Sequence, residues 1–457
     1  MKLGFIAAAD RENNFNKIEP LGLLYMAAYL EKYLNFENVI IAEDVETLIG
    51  EKPDIVGIST YSTCIGRAGE IAKKVKEEIC VPVIIGGPHV TLYPEYLPEH
   101  CDIGVIGEGE RTMAELLELY LKEHAFEPHE LRKIKGIIFK EGSEIVQTPE
   151  RELIFPLDII PPPKRELVHD SFFVPNLMTG RGCPYKCSFC ATQLVWKKYR
   201  NFSPEYVSKE LLTLIDNDNF NKIEFGDDLF AISNDRVKAI HDIIINNELH
   251  KKAFFYVNIR ANIFNEEMAC LFKEMNVTKV FVGFESGSDK ILKFYNKKQT
   301  VKDNQKVVDL CHKYDIGIIS SFIAGAPVET EDDIKATHDF IYRNSEKIAV
   351  FVVCYLQPCP GTPLWNSMKL PPVRSEKDLL EITGRKNFSE YLSDEQLEYY
   401  LNEINSIYKG PVKHLSHGLD LICELHKKGL YSVPDHQSLN DLMTFRARGN
   451  DIVSRES

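Results

Sequence analysis

The feature that most constrains this chain is an alternation of short, nearly continuous apolar runs with stretches of helical period. It occurs twice, with a proline-rich break between. In the first set, Lys2–Ala8, Asn38–Ala42, Asp54–Thr60, Val81–Gly86 and Ile103–Ile106 read as strands. Pro20–Leu34, Ile65–Ile79 and residues 110–122 read as helices. Strands apolar along their whole length belong in a parallel sheet covered on both faces. An α/β, doubly wound parallel sheet is therefore expected over residues 1–130. Its ligand should sit beyond the carboxyl ends of the strands, at Ala9–Gly22, Ser59–Cys64, Gly86–Val90 and Gly107–Thr112. Residues 131–172 read as a connector. It contains a hairpin-like pair, Lys135–Phe139 and Glu144–Gln147, and the stiff run Pro161-Pro162-Pro163.

The second set supplies six candidate strands: Phe173–Met178, Lys222–Phe225, Phe254–Ile259, Lys279–Phe284, Gly317–Ile323 and Ala349–Leu356. Ser203-Pro204, Thr300 with Asp303, and Thr330 with Asp333 mark helix starts between them. Six such units over 173–372 predict a partial (β/α) barrel with its chemistry at the carboxyl ends of the strands. The remainder, 373–457, is charged and helical, with a second apolar-periodic stretch at Val412–Lys428. It reads as a helical domain capping the barrel mouth.

After the first barrel strand comes GRGCPYKCSFC, Gly180–Cys190. Cys183, Cys187 and Cys190 make C-x-x-x-C-x-x-C, and thiols at this density suit an iron–sulfur cluster or zinc. Zinc or a simple electron-transfer cluster wants a fourth ligand close by, yet the next cysteine is Cys270. Three thiolates on a cubane leave one iron open to a substrate. Eleven cysteines without paired spacings fit free thiols and a metal site in a reducing, oxygen-poor cytoplasm. A net charge of −14 argues against a nucleic-acid partner. No apolar run is long enough to span a bilayer, and MKLGFIAAAD reads as a strand, not a secretory signal.

On these residues, with aromatic Phe189 just before the last cysteine, the loop resembles the cluster loop of the radical S-adenosylmethionine (SAM) superfamily. The first domain resembles the cobalamin-binding, Rossmann-like domain found ahead of many such cores. The likeness lies in PLGLLYMAAYL from Pro20, Ser59 after the third strand, Gly86-Gly87-Pro88-His89 after the fourth, and IGEGE (Ile106–Glu110) after the fifth. One departure stands out: the loop ADRENNFNKIEP has no histidine, so no imidazole from it is expected below the cobalt, as is usual for radical SAM relatives. The resemblance implies cobalamin contacts from Pro20, Leu21, Ser59, Thr60, Tyr61, Gly86, Gly87, His89, Gly107 and Glu108, with Tyr61 and Thr63 toward the lower face. A doubly wound sheet of this kind also suits a nucleotide.

For the barrel, the resemblance implies a [4Fe-4S] cluster on the three cysteines and a SAM site at the strand ends. The superfamily's G-G-E is here Gly226-Asp227-Asp228, in EFGDDLF, similar to the D-D-x-F form of the cobalamin-containing branch. Arg260 is expected on the SAM carboxylate, Glu285 with Ser286 on the ribose, and Phe189 on the adenine. Ile323 and Gly325 of SSFIAGAP, and Leu356, complete the set, with Ser321 where the family has glycine. Cys354 and Cys359 flank a turn similar to P-x-P-G-T-P; they read as a relay or as packing thiols, and Trp365 as packing. The implied reaction splits SAM to a 5′-deoxyadenosyl radical that activates a substrate carbon, to which methylcobalamin gives its methyl group. That describes a cobalamin-dependent methyltransferase for an unactivated carbon or phosphorus of a small molecule or peptide, served by an electron donor such as flavodoxin or ferredoxin. The alternatives are a cobalamin-dependent radical SAM catalyst of ring formation, contraction or rearrangement, and a non-catalytic corrinoid or iron–sulfur carrier or redox sensor. An RNA methylthiotransferase would need more cluster cysteines and a basic C-terminal module. No motif names the substrate.

Overall fold

The computed structural model describes residues 1–8, 19–142, 144–168, 174–218, 220–371, 373, 376–383 and 387–407. Most of the histidine-free loop (residues 9–18) and all of Val412–Lys428 lie outside the described residues.

The first sheet is built on five parallel strands: β1 (Leu3–Ala7), β2 (Val39–Ala42), β3 (Ile55–Ser59), β4 (Val83–Gly86) and β5 (Ile103–Val105). Alternate side chains enter two cores. Leu3 and Phe5 pack with Leu23, Ala27, Leu30, Leu116 and Leu117 from helices Leu21–Leu34 and Gly109–Glu123. Ile6, Val56 and Ile58 pack on the other face with Leu48, Ala68 and Ile71. The order β2-β1-β3-β4-β5 reverses direction between β1 and β3, and a crevice opens there at the strands' carboxyl ends.

The hairpin of β6 (Ile137–Glu141) and β7 (Glu144–Gln147), expected in the connector, extends this sheet antiparallel to β5. Its composition requires this: Ile137 and Phe139 enter one core and Ile138 the other, so both faces of β6 must be covered.

The second sheet begins with β8 (Asn176–Leu177), shorter than expected, with Phe173 outside the described residues. A small antiparallel pair follows, β9 (Gly180–Arg181) with β10 (Arg200–Asn201), holding the cysteine loop between them. Then come β11 (Lys222–Phe225), β12 (Phe254–Ile259), β13 (Val277–Glu285), β14 (Gly317–Ala324) and β15 (Val350–Tyr355). Six parallel strands in the order β15-β14-β13-β12-β11-β8 form the partial barrel. Ile223, Phe255, Val257, Val280, Val282 and Phe322 are buried in one core with the helices. Ser203 caps its helix as expected, and Thr300 with Asp303 and Thr330 with Asp333 form capping boxes.

Two C-terminal helices are described: Glu376–Thr383, whose Ile382 joins a core of the first sheet, and Asp394–Ser406. The apolar stripe of the second, Leu397, Leu401 and Ile404, packs on the flank with Ile334, Phe340 and Ile341 of helix Glu331–Asn344. What reaches the mouth is the strap before it: the Phe388 N–H donates to Gly325 O at 3.1 Å, and the Glu390 N–H to Pro327 O at 3.0 Å.

Candidate active site

Gly182, at φ +88, lets the cysteine loop turn back on β10; a Cβ there would lie 2.8 Å from Lys198 O. The barrel then fixes the loop. The Ser188 N–H donates to Tyr295 O (2.8 Å), Asn296 Nδ2 to Lys186 O (2.7 Å), and the Leu364 N–H to Ser188 O (2.8 Å). Cys187 is buried, and Cys183 and Cys190 are half-buried. Burial pushes the Cys183 thiol up, opposed by a backbone hydrogen bond at Tyr185 and by Arg260.

Arg260, just after β12, donates from Nη1 to Cys187 Sγ at 3.2 Å, and its guanidinium lies 3.9 Å from the Tyr185 ring centroid. Its Nη2 is buried without a partner among the described residues. No three His, Cys, Asp or Glu side chains among the described residues converge as on a single ion. A cubane asks for something else, since each thiolate takes its own iron and the donors stand apart. Three thiols with an unsatisfied guanidinium beside them fit a cluster that shares one iron with a carboxylate-bearing ligand.

The two aspartates after β11 diverge. Asp227 is buried and accepts from the Thr179 N–H (3.0 Å) and Oγ1 (2.9 Å), while burial pushes its carboxyl up to about 7. It braces the entry to the cysteine loop. Asp228 accepts from the Gly182 N–H (3.1 Å) and Thr192 Oγ1 (3.2 Å) and, with Gly226, lines the cavity described below. Glu285 is buried against Lys297. Ser286 is closed into its own turn, bonded to Thr337 Oγ1 (3.1 Å) and accepting the Ser288 N–H (3.0 Å). The Gly325 N–H donates to Glu329 Oε2 at 2.6 Å, and burial pushes the Glu329 carboxyl up to about 7. Phe189, 5.1 Å edge-on to Tyr295, packs with Ile323 and Leu356 in one apolar cluster. Burial holds the Cys354 and Cys359 thiols up at about 11. Trp365 is packing, buried with the first sheet's core.

A cavity of about 790 Å³ joins the two sheets. Ala7, Ala8, Pro20, Leu21, Gly22, Ser59, Tyr61, Thr63, Gly86, Gly87 and Gly107 line it from the first domain; Met178, Ala191, Thr192, Val195 and Trp196 line it from the barrel. Gly22 and Gly107 have open space where a Cβ would stand. A broad recess floored by small apolar residues fits a large, flat ligand such as a corrin.

Two expected contacts are off its wall. Thr60 is buried, its Oγ1 donating to Tyr61 O (3.0 Å). His89 is buried and stacked on Tyr93 at 4.7 Å, with Nδ1 3.2 Å from Ser62 Oγ; burial lowers it to about 4, so it is a neutral core histidine. Glu108 reaches the wall, but its carboxylate is taken. It accepts from Arg181 Nη1 (2.6 Å), Arg200 Nη1 (2.8 Å) and the Ile154 N–H (2.8 Å), while Arg181 Nη2 donates to Glu110 Oε1 (2.6 Å). These four buried charges clamp the first domain to the barrel. Arg181, Arg200 and Thr179 were not foreseen, because their partners lie far along the chain; Lys297 and Glu329 were missed although theirs are near, because no local pattern marks them. Among the described residues no helix is long and apolar enough to cross a membrane.

Family comparisons agree with this geometry. Residues 177–341 match the Radical SAM superfamily, and residues 13–117 match the B12 binding domain. The chain is 33% identical over 367 residues to an uncharacterized methyltransferase of Pyrococcus horikoshii, covering 76% of this chain and 78% of that protein. It is 26% identical over 374 residues to the anaerobic magnesium-protoporphyrin IX monomethyl ester cyclase of Cereibacter sphaeroides, covering 77% of this chain but 60% of that protein's length. The fold is similar to that of TsrM, a radical S-adenosylmethionine methyltransferase from Kitasatospora setae solved with cobalamin and a [4Fe-4S] cluster: TM-score 0.73, 17% identity, 100% of both chains covered. The chain belongs to the radical SAM enzymes that carry a B12-binding domain, whose cofactors are a [4Fe-4S] cluster, SAM and cobalamin.

Proposed function

We propose that this cobalamin-dependent radical SAM enzyme is a methyltransferase acting on an unactivated carbon, or phosphorus, of a small molecule or peptide. The observation that carries this reading is one continuous cavity lined both by the strand ends of the first sheet and by Ala191, Thr192, Gly226 and Asp228 beside the cysteine loop. Bound around that chamber, cobalamin supplies a methyl carrier, and the cluster with SAM supplies a carbon-centred radical.

Cys183, Cys187 and Cys190 hold the cluster. The unpartnered Arg260 Nη2 suits the SAM carboxylate, for which a guanidinium is well matched. Asp228, on the wall, suits the amine, Glu285 the ribose, and Phe189 with Ile323 and Leu356 the adenine. Pro20, Leu21, Ser59, Tyr61, Gly86, Gly87 and Gly107 suit the corrin. Similarity to an archaeal protein named as a methyltransferase supports the reading. The reductant is a low-potential donor such as flavodoxin or ferredoxin.

The test needs no substrate. Reduced, fully reconstituted protein given methyl-labelled SAM should release one equivalent of S-adenosylhomocysteine per bound cobalamin and retain the label. Release of 5′-deoxyadenosine alone overturns methyl transfer in favour of ring formation, the alternative that similarity to the cyclase supports.

A further inference from the structure

Glu285 ends β13 at φ 62, in the left-handed region that a glutamate seldom enters. The pairing of β13 with β14 shifts register between Gly283 and Glu285. A local irregularity of this kind re-aims a side chain at the end of a strand. The carboxylate folds back over Gly283: a Cβ there would lie 2.1 Å from Glu285 Oε1 and 2.8 Å from Lys297 Nζ. The space freed by the glycine is filled by an ion pair between Lys297 Nζ and Glu285 Oε1, both side chains under 10% exposed. The same ammonium stands 5.8 Å from the Phe189 ring centroid, in the cysteine loop. Its backbone is anchored too: the Lys297 N–H donates to Leu292 O (3.0 Å), and two residues on, Gln299 Nε2 donates to Gly283 O (3.0 Å).

We infer that Lys297 is a positioning residue for SAM. One buried ammonium sets the carboxylate offered to the ribose and the ring offered to the adenine, so both halves of the nucleoside site are arranged before SAM arrives. Arranging a site in advance raises affinity by reducing the ordering left to binding. The inference rests on the reading of Glu285 and Phe189 given above.

The experiment uses holoprotein with cluster and cobalamin in place. SAM affinity is measured by equilibrium dialysis alongside iron content. Lys297→Met should weaken SAM by about tenfold or more, the scale of removing a group that orients a ligand-holding side chain, with iron content unchanged. Lys297→Arg should recover most of the loss. Lys297→Met combined with Glu285→Gln should lose less than the sum of the two single losses, because part of the lysine's effect runs through the glutamate. The loss in Lys297→Met should also shrink for a SAM analogue lacking the ribose hydroxyls. Additive losses, or a loss of iron in Lys297→Met, overturn the inference. If Glu285→Gln leaves SAM binding untouched, the ribose reading itself fails; if Glu285→Gln weakens binding and Lys297→Met does not, only the positioning role fails.

Discussion

Replacing Arg181 by methionine tests whether the two domains are held by buried charge. Arg181 is 3% exposed and serves Glu108 and Glu110 at 2.6 Å each. In Arg181→Met, Glu108 keeps Arg200 and the Ile154 N–H, but Glu110, 4% exposed, loses its guanidinium. Methionine still fills the space near Tyr25 and Trp196, whose ring centroids lie 5.6 and 5.4 Å from the guanidinium, so little packing is lost. Breaking a buried pair by removing one partner costs about 3–5 kcal/mol, because the other charge stays buried and uncompensated. Urea unfolding followed by tryptophan fluorescence should show a loss of that size with the denaturant slope unchanged. Adding Glu110→Gln removes the stranded charge and should restore a large part of it. A loss below about 1 kcal/mol in Arg181→Met would refute the argument, since only solvent-screened pairs are worth so little.

Glu210, 1% exposed, receives the Tyr25 OH at 3.2 Å, and burial pushes its carboxyl up to about 7. Because the folded value lies above the unfolded one, its contribution is fully present below about pH 4.5 and is lost as the pH rises to about 7, by up to about 1.4 kcal/mol per pH unit. Glu210→Gln should flatten that part of the decline between about pH 4.5 and about pH 7, and an identical decline in both proteins would contradict it. Gly87→Ala would place a Cβ 2.6 Å from Thr60 O and 3.0 Å from Thr60 N at φ +100, against backbone that cannot yield. Stability should fall by about 2 kcal/mol or more, and hydroxocobalamin uptake read by absorbance should weaken; wild-type values for both would rule this out.

The strand–helix pattern carried the fold well, because strands buried on both faces are written as unbroken apolar runs. Lys222–Phe225 and Phe254–Ile259 end where the sequence placed them. The hairpin at Ile137–Gln147 was legible as a hairpin but not as part of the sheet, since nothing local states which edge a strand joins. The three cysteines and Arg260 were legible as a set, and the structure brings Arg260 onto Cys187. Glu108, His89 and Asp227 show the opposite case. Each sits in a loop whose pattern suggests a ligand, yet each is occupied by the protein: Glu108 by arginines 73 and 92 positions away, His89 by Ser62 and Tyr93, Asp227 by Thr179. A sequence shows that a polar group is present at a strand end; which partner reaches it first depends on long-range packing.

The antiparallel hairpin bears on how the protein behaves at the concentrations used to load iron and sulfide. Without it the sheet would end on the three apolar residues of β5, a ready template for a second chain. With it, the outer border is β7, whose end residues Glu144 and Gln147 stand in solvent. Polymerisation through that border is thereby discouraged.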